Sequence, residues 1–212
     1  MISTILAITA VTGTIQEPID FQLGWKQGDK FAYTLTTKGG GTSAKGRFDI
    51  TVTKADEKGF TISWPKVNMS GDAADMRAGT LELDKHGRVT SQGTLPLAAP
   101  LMIQMTLPEK PIALGDSFKF NTNVLGSKLE LNGKLAKIDE TKGRVAHFSY
   151  EGTLHAPNGI DWKIEVSSVF DMVRGIFTSS VYEMVDYGAS FSLKLVDKDF
   201  MPQDARRAGV SP

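Results

Sequence analysis

The residues equipped for acid–base or metal chemistry are three histidines, His86, His147 and His155, and two adjacent acid pairs, Asp56-Glu57 and Asp139-Glu140. No two histidines share a spacing such as His-x-x-x-His, which would set both on one helix face toward a metal. His86 and His155 fall in turn-forming stretches, and His147 has the opposite strand parity to Phe148. Each acid pair lies in a lysine-bearing turn, where carboxylates are solvated. Glycoside hydrolysis instead needs two carboxylates facing each other across roughly 5–10 Å. There is no Gly-x-Ser-x-Gly elbow and no serine with an evident His and Asp partner. Lys38-Gly39-Gly40-Gly41-Thr42-Ser43 has the glycines of a phosphate loop, but such a loop must feed a helix; strand-forming residues follow here, so it reads as a flexible turn. The absence of cysteine removes disulfides, thiolate metal sites and thiol nucleophiles together. These residues predict a non-catalytic protein with no metal and no cofactor.

The balance of the chain excludes further classes. Its 212 residues suit one large domain or two small ones, and 41% hydrophobic with 23% charged residues is ordinary globular composition. Lys+Arg 24 against Asp+Glu 24 leaves no net charge, so no nucleic-acid partner is expected. Beyond the N-terminus no stretch has the ~20 apolar residues that span a bilayer, so the mature chain is expected to have no transmembrane span. Residues 1–16 read as a secretory signal peptide: an apolar run through Val11, then small residues. The mature chain would begin between Thr14 and Glu17, in the periplasm or outside the cell.

The elements that must position any site are strands. Phe31, Tyr33 and Leu35 alternate with polar or small residues, as do Phe48, Ile50 and Val52, and Phe60, Ile62 and Trp64, which is the period of a half-buried strand. Gly28-Asp29-Lys30-Phe31 recurs as Gly115-Asp116-Ser117-Phe118. The turn at Lys54-Ala55-Asp56-Glu57-Lys58-Gly59 is matched by Lys137-Ile138-Asp139-Glu140, and Asp84 to Ser91 by Asp171 to Ser179. Turn signals this close together mark an antiparallel meander, since parallel strands need long crossovers. The expected architecture is all-β: about ten to eleven antiparallel strands from two tandem repeats, in a curved sheet or half-open barrel, with one short helix between repeats. The first β unit would cover 17–94, an apolar helix or linker 95–110, the second unit 111–200, and a loose tail 201–212. Within the second unit, Gly133 suggests a bulge or bend.

In residues 95–107 the alternation stops. Leu97, Leu101 and Met105 sit four apart, the spacing of one helix face, with Met102 beside them; a short helix is predicted over 98–106. It would have little polar face and must be covered or cover something else. The candidate ligand-binding residues are Leu97, Leu101, Met102 and Met105 from this segment, with Trp64 and Phe148 from inward strand faces. Their partner would be an apolar small molecule or lipid, held in the concave face of the sheet. The alternative is a structural or interaction protein of the cell envelope with a filled core, its partner an envelope protein. A stack of exposed aromatics from Trp25, Trp64, Trp162 and Tyr187 could bind sugars, but strand parity places Trp64 and Trp162 in the core.

The stretch Leu107-Pro108-Glu109-Lys110-Pro111-Ile112-Ala113-Leu114-Gly115-Asp116-Ser117-Phe118, in which Leu-Pro precedes a Gly-Asp-x-aromatic strand start, resembles a family of uncharacterised exported bacterial proteins with a two-unit β layout. That resemblance covers roughly residues 22–197 and implies an exported all-β protein without implying an activity. By architecture the chain is also similar to periplasmic lipoprotein carriers.

Overall fold

A computed structural model describes residues 17–71, 76–91, 105–124, 127–141 and 143–196. Eleven strands form a single antiparallel sheet. In chain order they are β1 (Lys30–Gly39), β2 (Thr42–Asp56), β3 (Gly59–Trp64), β4 (Gly79–Leu83), β5 (Val89–Ser91), β6 (Ser117–Val124), β7 (Ser127–Asp139), β8 (Val145–His155), β9 (Asp161–Asp171), β10 (Ile176–Met184) and β11 (Ala189–Leu195). Their order across the sheet is β5-β4-β3-β2-β1-β11-β10-β9-β8-β7-β6.

Two expectations need correction. The matched halves do not make two separate sheets: the sheet is one meander whose centre is the β1–β11 pair, with Tyr33 opposite Leu195 and Lys38 opposite Ser190. The first and last strands meet there because a hydrogen-bonded ladder satisfies both edges, whereas separate half-sheets would expose two more. Nor is there an α-helix among the described residues; the one helical turn is a 3-10 turn at Val185–Tyr187. Of the residues expected to be helical, 98–104 lie outside the described residues. Met105, Thr106 and Leu107 are not helical. The Leu107 N–H donates to the His86 carbonyl at 2.7 Å, across the β4–β5 turn. Met105, the described member of that apolar spacing, is buried in the core.

The matched turns are nonetheless built alike. Asp29 accepts the Lys26 N–H at 2.8 Å, and Asp116 the Ala113 N–H at 2.9 Å. Gly28 and Gly115 both take positive φ, 92° and 90°, which glycine adopts without steric cost. Their N–H groups donate to Val52 and Leu135 carbonyls respectively. Just beyond, the register shifts between Val52 and Lys54 and between Leu135 and Lys137. Such bulges bend and twist long strands, here the 15-residue β2 and the 13-residue β7. The second shift lies past Gly133, where the sequence suggests a bulge. Gly133 instead makes room for the Phe118 ring, which a Cβ would strike.

The sheet curls until its edges face each other. The Arg88 guanidinium, in the β4–β5 turn, lies 5.7 Å above the ring of Phe120 on β6, although β5 and β6 are not paired. Two irregular segments fill the gap and the apolar face. Residues 18–25 bury Phe21, Leu23 and Trp25, and residues 105–112 bury Met105, Leu107 and Ile112. Ile19 and Ile112 exchange backbone hydrogen bonds of 2.8 and 3.1 Å, tying the two segments together. The result is one apolar cluster spanning both halves of the chain.

Candidate functional site

Strand parity turns Trp64 and Phe148 inward, as the sequence suggests, but each is surrounded by protein. Trp64 is 4% exposed. Its ring packs 5.7 Å from Phe48, and its indole N–H donates to the Arg77 carbonyl at 2.9 Å. Phe148 meets Phe21 edge-on at 5.1 Å, with Phe118 and Tyr150 on its other sides at 6.2 and 6.3 Å. Met105 is buried and its carbonyl faces Gly87. Leu97, Leu101 and Met102 lie outside the described residues. Two phenols reach across the same interior. Tyr33 donates to the Phe177 carbonyl at 2.8 Å and Tyr150 to the Thr106 carbonyl at 2.7 Å. Burial pushes both phenols well above the ordinary tyrosine pKa, so they are hydrogen-bonding struts rather than acids. Ser168 and Ser180, both buried, satisfy each other at 2.7 Å.

The larger open space lies on the opposite, polar face. A groove of about 650 Å³ crosses β6 to β10, lined in part by Ser149, Ser167, Glu151, Glu165 and Glu183. Register places Glu165 opposite Glu151 on one side and opposite Glu183 on the other. Like charges set directly opposite are unfavourable. Elsewhere on this face acids are paired, as in Arg47–Asp49 at 2.9 Å and Lys54–Asp56 at 2.8 Å. Sequence reasoning missed the row because it shows each glutamate's parity but not its cross-strand partner. A second open groove, about 620 Å³, runs beside Trp25 and Phe60 between residues 22–27 and the β2–β3 turn.

The titratable residues do not converge. His155 Nδ1 lies 2.7 Å from Asp161 and Nε2 3.5 Å from Glu130. With both ring nitrogens turned to carboxylates, it offers no base to a nucleophile. Glu130 is held below the usual carboxylate range chiefly by its hydrogen bond with Lys128. Among the described residues no group of three or more His, Asp or Glu side chains could hold a metal ion. Trp162 stacks on Tyr187 at 5.5 Å and 18°; it is half-buried, and Tyr187 is 68% exposed.

No protein-family model matches the chain, and no curated protein does. Among solved structures, a protein of Bacteroides fragilis described as exported and as having a YMCC-like fold is similar at 12% identity over 82% of this chain and 97% of that one, with a TM-score of 0.46. That likeness is too loose to carry a function across.

Proposed function

We propose that this is an exported, non-catalytic interaction protein of the cell envelope, with an interior filled by its own chain. The observation that carries this reading is the occupancy of the sheet's apolar face. Phe21, Leu23 and Trp25 from one segment, and Met105 and Leu107 from another, are buried where an apolar ligand would lie. A carrier needs an apolar void of several hundred Å³; among the described residues, the groove of about 650 Å³ opens on Glu151, Glu165 and Glu183, and the one of about 620 Å³ is an open surface groove beside Trp25, Phe60 and Lys26. Export is supported by the apolar run of residues 1–11. Among the described residues no helix is long and apolar enough to cross a membrane, which says nothing of strands.

The competing reading is an apolar-ligand carrier using Leu97, Leu101, Met102, Met105, Trp64 and Phe148. Trp64, Phe148 and Met105 already spend their surfaces on neighbouring side chains, which weighs against it. Native mass spectrometry of the protein isolated from its own host separates the two. The interaction reading expects the bare chain mass after cell fractionation into periplasm or medium, together with a cross-linkable envelope protein. A lipid-like molecule retained in stoichiometric amount would reverse the order of the two readings.

A further inference from the structure

The seam between the sheet's edges is assembled differently from the rest of the fold. Among the described residues, residues 18–25 and 105–112 meet the β4–β5 turn through backbone hydrogen bonds from the Leu23 N–H to the Lys85 carbonyl at 2.8 Å and from the Leu107 N–H to the His86 carbonyl at 2.7 Å. Side chains add two contacts. Arg88 pairs with Glu109, and His86 Nε2 stands 3.8 Å from Asp20 Oδ1, too far for a hydrogen bond. The buried side-chain polar atoms left without a hydrogen bond among the described residues are Trp25 Nε1, His86 Nε2 and Arg88 Nε. His86 and Arg88 sit in the β4–β5 turn, whereas Trp25, at the end of residues 18–25, packs on Phe31 and Phe60. A buried polar group without a partner is costly, and water would relieve it. Burial also pushes the Arg88 guanidinium below its ordinary pKa, against the pull of Asp84.

We propose that this seam is a gate. Residues 18–25 and 105–112 part from the β4–β5 hairpin while the remaining strands stay paired, so that water reaches His86 Nε2 and Arg88 Nε and the apolar side chains of Leu23, Met105 and Leu107 are uncovered. The filled interior describes the closed state, and the gate does not depend on which partner the protein binds.

Native-state hydrogen exchange of the whole chain tests it, read at the Leu23 and Leu107 amides against those of Phe148 and Val166 in strands flanked on both sides. The gate expects Leu23 and Leu107 to exchange about 100-fold or more faster, with little dependence on denaturant, as local openings do. Exchange at all four sites with the same rate and the same steep denaturant dependence would overturn it. A variant provides a second test. Glu109→Gln removes the ion pair with Arg88 and should speed exchange at Leu23 and Leu107 about threefold to fivefold, leaving Phe148 and Val166 unchanged. Equal acceleration at all four amides, or at none, would equally overturn the gate.

Discussion

Tyr150 serves two structures at once. Its ring packs on Phe118 at 5.6 Å, and its hydroxyl holds the Thr106 carbonyl from a segment 44 residues away in the chain. Tyr150→Phe keeps the packing and removes the donor, so it should cost about 1–3 kcal/mol of stability in denaturant unfolding. Asp139 allows a pH test at the surface. Its hydrogen bonds with Thr141, side chain first, and then with Lys137 bring its pKa from 3.8 down to about 2. A carboxylate with a depressed folded-state pKa adds stability above its unfolded value and loses that contribution as pH falls through the folded one. The unfolding midpoints of the native chain and Asp139→Asn should therefore differ at pH ~6 and converge as pH falls from about 4 to 2. Trp64 shows how far a single residue can be read from sequence. Alternation with Ile62 and Phe60 places it inward, but its Arg77 partner comes from a loop that no local pattern connects to it.

At the scale of elements, the β4–β5 turn is the most exacting piece. Asp84 Oδ1 accepts the N–H groups of His86 and Arg88 at 2.8 and 2.9 Å, and Gly87 takes φ +80° with its α-carbon against the Met105 carbonyl. Gly87→Ala should suffer twice, from a left-handed backbone that costs an L-residue roughly 1–2 kcal/mol and from the methyl striking that carbonyl. A thermal melt should show a drop larger than the backbone penalty alone, and a loss within that penalty would mean the neighbouring segment yields freely. The turn itself is legible, since Asp-Lys-His-Gly between alternating segments is turn chemistry. What it receives is not. Met105 ends the helix-like spacing that begins at Leu97 and Leu101, and nothing local reveals that the neighbouring Leu107 N–H will bond to the His86 carbonyl. The edge strand β6 also explains itself at this scale: it carries the exposed Lys119, a device that discourages pairing with other chains.

For the whole molecule, the decisive contact is β1 with β11, which joins residues such as Tyr33 and Leu195 from opposite ends of the chain. Because one apolar cluster spans both halves, they should unfold together. Variants with Trp64 or Trp162 as the sole tryptophan should report the same fluorescence midpoint in denaturant; clearly separate midpoints would mean the halves fold independently. Strand character, inward parity, most turns and the matched Gly-Asp starts are properties of neighbouring residues, and sequence alone determined them. Which strands pair across the centre, that residues 18–25 and 105–112 fill the apolar face, and that Glu151, Glu165 and Glu183 stand in one row were decided only by tertiary structure. Each depends on register and curl, which arise when distant segments compete to bury the same surface, and period-2 alternation is equally satisfied by many such arrangements.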